Sequence, residues 1–194
     1  MSLPTEHEQR FAEYLAKLAA DKNRAALAAL RRGLGKSPGE AAESHMYVVP
    51  WLLRGARRWQ EDIYYLVASL FAWHQGSWRP DGERRHPTNL GASMARLAER
   101  TGSSSAESRF IALLNCHRDD LPQHLRQTVG LLKSAEIAID WAQLLHDIQG
   151  WDWESRAVQR DWARAFWGSG YPPGSEATAA ETDAADDLEQ ASES

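Results

Sequence analysis

The chain has one cysteine, Cys116, in 194 residues. A lone cysteine excludes an internal disulfide framework and fits a reducing compartment, so a cytoplasmic location is expected. Long apolar runs are also missing. The longest, Ile63 to Trp73, covers 11 residues and is interrupted by Ser69, too short to cross a bilayer. Met1–Arg10 is mostly polar and has no basic-then-apolar leader pattern. No segment alternates apolar and polar residues at the period of a strand. A fold without strands has no place for a phosphate loop or a glycine-rich turn after a strand. No CxxC, HExxH, histidine cluster or Gly-x-Ser-x-Gly elbow occurs. The sequence therefore predicts no metal, no cofactor and no catalytic residue, and favours a binding protein over an enzyme.

Lysine is scarce too, with four against 18 arginines, and nine tryptophans stand among them. Arginine presents a planar fork that matches phosphate oxygens, where lysine presents a mobile point charge. The formal net charge of −5 hides a division along the chain. Tyr171 to Ser194 holds seven acids (Glu176, Glu181, Asp183, Asp186, Asp187, Glu189, Glu193) and no base. Setting those seven aside leaves 20 acids against 22 bases in residues 1–170, a balance of +2. A basic body with an acidic tail points to a polyanionic partner. The tail, residues 171–194, has Leu188 as its one large aliphatic side chain. It is expected to be disordered, since it cannot bury enough surface to offset its ordering entropy.

The rest reads at helical period. Phe11, Leu15 and Leu18 mark a first helix over about 5–20, and Leu27, Leu30 and Leu34 a second over about 22–33. Gly33, Gly35, Pro38 and Gly39 break the chain into an irregular loop that ends at Pro50. The apolar helix over about 57–75 is the expected centre of the fold, followed by a loop from Gly76 to Pro87. Further on, Thr88 or Asn89, a Ser104/Glu107 capping box, Asp120 with Pro122, and Asp140 signal helix starts. A last helix is expected over about 153–167. The prediction is an all-α protein of about eight helices and no sheet, in two small bundles packed together: 1–87 and 88–170.

The cations recur in stripes. Arg156, Arg160 and Arg164 are spaced by four, opposite Val158, Trp162 and Phe166. Arg24 and Arg31 are seven apart, with Arg32 beside them and Lys36 just beyond, while Arg126 and Lys133 share a face. A groove that tracks a sugar–phosphate backbone needs such groups spread over one surface. Two other readings stay open at this point. His117, Asp119, Asp120, His146 and Asp147 are candidates for a helical metal-dependent phosphohydrolase or nuclease. Alternatively, the arginines pair with acidic protein surfaces in a protein-only adaptor.

The runs Asn89-Leu-Gly-Ala-Ser-Met-Ala-Arg-Leu-Ala, Glu107-Ser-Arg-Phe-Ile-Ala-Leu-Leu and Leu121-Pro-Gln-His-Leu-Arg-Gln-Thr-Val-Gly-Leu-Leu-Lys-Ser stand in a telling order. They are followed by Ile139-Asp-Trp-Ala-Gln-Leu-Leu-His-Asp-Ile and Val158-Gln-Arg-Asp-Trp-Ala-Arg-Ala-Phe-Trp, and preceded by Arg24-Ala-Ala-Leu-Ala-Ala-Leu-Arg-Arg. This set, over about residues 22–168, resembles the CasB family, the small subunit of the type I-E CRISPR surveillance complex, Cascade. The resemblance implies a non-catalytic, all-helical subunit, two copies of which stack along the inner face of a guide-RNA complex beside the other Cascade subunits. It implies sequence-independent contacts with single- and double-stranded nucleic acid, namely the target and displaced DNA strands of the guide RNA–DNA R-loop, and no membrane. By motif position it carries the nucleic-acid role to Arg31, Arg32, Arg109, Arg118 and Arg126. The stripes add Arg24, Lys36, Lys133, Arg156, Arg160 and Arg164.

Overall fold

Thr5 opens the first helix, α1 (Glu6–Ala20). Its hydroxyl accepts from Glu8 N while the Glu8 carboxylate accepts from Thr5 N, so two amide donors at the helix start are satisfied reciprocally. The computed structural model describes residues 2–37, 40–78, 88–102 and 104–168. The acidic tail and the expected division after residue 87 lie outside them. After α1 come α2 (Arg24–Arg31), the single-turn α3 (His45–Val48), α4 (Arg58–Trp73), α5 (Leu90–Thr101), α6 (Ser104–Asn115), α7 (Leu121–Ser134), α8 (Trp141–Gln149) and α9 (Ala157–Trp167). The fold is all-α, with one isolated bridge, Ser77 to Ile139, in place of any sheet among the described residues.

The count is nine α-helices rather than eight among the described residues. The additional one, α3, lies between two 3-10 turns in the stretch read as irregular loop. It is held by tertiary contacts that the sequence pattern does not show: Val48 is fully buried, and Trp51 packs on Phe11 and Tyr14 of α1. Asn89 and Asp140 cap as predicted, accepting from Ala92 N and Gln143 N. The Ser104/Glu107 capping box does not form. Ser104 already lies in α6, and the Glu107 carboxylate accepts from Trp167 Nε1 at 3.0 Å.

One contiguous core runs through the described residues. α4 is buried along most of its length and packs on α2 and α8, α1 packs on α8, and α5 lies along α9. Of the residues expected to face inward, Leu30, Leu125, Val129, Leu132, Trp162 and Phe166 are essentially without solvent exposure, while Leu18, Leu27 and Leu34 are partly buried against the core. Buried polar side chains stitch the helices together. Glu8 accepts from Gln149 Nε2 and lies 3.0 Å from His146 Nδ1, tying α1 to α8. Asp147 accepts from Trp162 Nε1 at 2.6 Å and Gln143 Nε2 at 2.7 Å, tying α8 to α9.

Burial pushes the Asp147 carboxyl up to about 6, against the pull of the Trp162 and Gln143 donors and of His146. A carboxyl raised in the folded state stabilises most at low pH, and that contribution is lost as pH rises through about 6. Asp147→Asn removes the titration. Relative to this variant, the parent chain is expected to lose roughly 2–3 kcal/mol of stability between about pH 4 and pH 7. Urea unfolding of both chains across that range measures it, and parallel stability curves would refute it.

Candidate nucleic-acid interface

A cleft of about 560 Å³ opens between the turn after α2, the α4 helix and the start of α7. It brings together Lys36, Arg118 and Arg126, three of the predicted cations, from opposite halves of the chain. Each is positioned by a different device. Lys36 follows Gly35, which takes the left-handed region at φ +79°. Gly35 also lacks the Cβ that would collide with Arg126 Nη1, so the Arg126 guanidinium lies directly against this turn. Arg118, between α6 and α7, stacks its guanidinium 4.3 Å from the Trp59 ring and pairs through Nε with Asp152 Oδ2 at 2.7 Å. Tyr65, Asp62 and Asp119 complete much of the lining. Burial raises the Asp62 carboxyl, partly countered by the Arg58 charge.

The other cations lie on α2, α6, α7 and α9 or at their ends. Arg24 and Arg31 begin and end α2, exposed, and Arg32 follows with Glu43 3.7 Å away at the surface. Lys133 lies two turns after Arg126 on α7. Its ammonium is 5.1 Å from the Trp73 ring, which itself rests on Gly130. Arg109 is exposed on α6, and Arg160 on α9. Arg164 is exposed and paired with Asp161 at 2.9 Å. Among the described residues, Arg24, Arg31, Lys36, Arg126 and Arg160 have no ion-pair partner, so their charge stays available to an anion.

The three-arginine stripe of the last helix is not as drawn from spacing. Arg156 precedes α9 in a left-handed conformation, φ 48°, and its guanidinium donates to Leu114 O at the end of α6. Arg160 and Arg164 alone of the three project from the helix. Sequence reasoning also missed Trp59 as the platform under Arg118 and Gly35 as the gap that admits Arg126. The Trp59 signal was its position at the start of an apolar helix; for Gly35 no signal existed short of the fold.

Two residues of the phosphohydrolase reading, His146 and Asp147, have other partners. His146 faces Glu8 of α1, and buried Asp147 faces Trp162 and Gln143. No group of three or more His, Cys, Asp or Glu side chains able to hold a metal ion occurs among the described residues. Cys116 lies half-buried just after α6, and burial pushes its thiol up to about 11, which leaves almost no thiolate near neutrality. No helix among the described residues is long and apolar enough to cross a membrane.

Both the sequence and the fold have counterparts among known proteins. A curated CRISPR-associated protein Cse2 from Thermus thermophilus is 38% identical over 164 residues, covering 84% of this chain and 90% of the relative. The crystal structure of CasB from M. ruber is 36% identical with a TM-score of 0.72, covering 85% of this chain and 94% of that one. A chain of a CRISPR RNA-guided surveillance complex is 29% identical with a TM-score of 0.71, covering 84% of this chain and 93% of that one. The sequence model of CRISPR-associated protein Cse2 matches residues 26–167, and the chain belongs to that family.

Proposed function

We propose that this chain is a non-catalytic subunit of a CRISPR RNA-guided surveillance complex of the Cascade type, working in antiviral defence in the cytoplasm. It binds the sugar–phosphate backbones of the target and displaced strands without reading sequence. Its partners are the other Cascade subunits, a second copy of itself and the R-loop. The observation that carries this reading is the meeting of Lys36, Arg118 and Arg126 in one cleft between the two halves of a Cse2-family fold. The match to a chain of a surveillance complex supports the assembly role. In guide-directed recognition, base pairing reads the sequence and opening the duplex is a near-balanced exchange. A protein that holds backbone then tips the balance without chemistry of its own.

The proposed contacts are Lys36, Arg118 and Arg126 in the cleft, Arg24, Arg31 and Arg32 along its α2 edge, and Lys133 further along α7. Arg109, Arg156, Arg160 and Arg164 extend the basic surface over α6 and α9. The two halves, 1–87 and 88–170, are proposed to act as the two jaws of the cleft.

The reading is tested by titrating fluorescent single-stranded DNA, RNA and duplex with the full chain from low to physiological salt. Binding independent of sequence, falling steeply with salt, is expected. Binding that is flat with salt, or absent at low salt, would leave the protein-only adaptor. Arg31→Ala with Arg32→Ala is expected to weaken binding about equally across sequences. The salt slope should drop by about 1–2, since each lost phosphate contact removes a little under one unit. Retained affinity with an unchanged slope removes those two residues from the interface.

A further inference from the structure

The geometry points to a nucleobase-stacking site at Trp153, next to the basic cleft. Trp153 lies in the loop between α8 and α9 and is 55% exposed, high for so large an apolar side chain. Its exposure is not disorder of packing. A Cβ placed on Gly150 would lie 3.1–3.2 Å from three atoms of the six-membered ring, so one face of the indole rests flat on Gly150. The other face is open.

The open ring borders a pocket of about 310 Å³ whose lining includes His117, Arg156 and Gln159. Gln159 holds this lining rigid. It is 5% exposed, and its Nε2 donates to Trp151 O at 2.8 Å, which fixes the amide. Its Oε1 is thereby turned elsewhere and has no partner. The atom is buried, so Gln159 fixes the shape of the lining and offers no acceptor to a ligand.

The surroundings favour a base over a phosphate. Asp152 is neutralised by Arg118, but Glu154 leaves an exposed acid on the rim. Acids repel phosphate and accept from the ring and exocyclic N–H groups of bases. Phosphates are better served by Lys36 and Arg126 of the neighbouring cleft, which have no ion-pair partner among the described residues. Arg118 also gives continuity, since it lines the cleft and pairs with Asp152 of this pocket. A strand whose backbone lies along the cleft is led to Trp153, where an unstacked base lies on the open indole face. A duplex keeps its bases stacked inside and offers none. The site therefore makes the surface prefer single strands, the form of a displaced DNA strand, and it rests on the backbone-binding reading above.

The test uses the full chain with Trp153→Ala and Trp153→Phe, titrated against single-stranded DNA, the same length of abasic strand, and duplex. Trp153→Ala is expected to weaken single-strand binding by on the order of tenfold, to leave duplex and abasic binding unchanged, and to be largely rescued by Trp153→Phe. The residue is exposed, so thermal melting should be unaffected. Equal single-strand affinity of the parent and Trp153→Ala chains overturns the stacking site while leaving the backbone reading intact. An equal loss on the abasic strand overturns it as well. Absence of binding by the parent chain to every strand overturns both.

Discussion

A chain carrying Lys36→Glu and Arg126→Glu is expected to lose nucleic-acid affinity by on the order of a hundredfold at low salt, since two charge-assisted phosphate contacts become repulsive. The two residues are the right pair to change. They meet at one turn, because Gly35 leaves room for the Arg126 guanidinium, and neither has an ion-pair partner among the described residues. Their reversal thus removes little that holds the fold. Arg118 differs: it stacks on Trp59 and pairs with Asp152, so its loss would mix folding with binding. The salt slope of the double variant should fall by about 1.4 for single strands and about 1.8 for duplex, two contacts' worth. Fluorescence titration at several salt concentrations, with circular dichroism as a folding control, measures this. Unchanged affinity in a folded double variant would move the interface out of the cleft.

The largest expected effect on stability comes from Gly91→Ala. In an ordinary helix this change gains about 1 kcal/mol from backbone entropy. Here α5 crosses α9 at that residue, and an added Cβ would press on the Trp162 carbonyl, 2.7 Å from its carbon and 2.8 Å from its Cα. A backbone cannot swing aside as a side-chain tip can. The helices must separate, which opens contacts around Trp162 and strains its hydrogen bond to Asp147. Overpacking costs about 1–3 kcal/mol in a yielding core and more against backbone, on the order of 3–5 kcal/mol here, so a net loss of about 2–4 kcal/mol is expected after the helix gain. For a chain of this size the melting temperature should fall by about 5–15 °C. A melting temperature equal to or above that of the parent would show that α5 and α9 do not meet as closely as described.

The helical class, most of the helix boundaries and most inward-facing residues were legible in the amino-acid order alone. Periodicity is local: Leu121, Leu125, Val129 and Leu132 recur on one face whatever that face packs against. Asn89 and Asp140 cap because each needs only the next turn of its own helix. The sequence also carried the arginine surplus and, through the ordered runs, the family. Tertiary structure decided the rest. That Lys36 and Arg126 meet depends on the packing of α2 and α7 on α4 and on a glycine between them. That Arg156 leaves its stripe depends on a carbonyl at the end of α6, and that Glu107 abandons its capping box depends on Trp167. That His146 and Asp147 hold helices together depends on Glu8 and Trp162, residues distant in sequence or carried on another helix. Side chains with one local role are legible from spacing. A polar or charged group takes the partner with the best geometry in the folded chain, and that partner is chosen only when the helices pack.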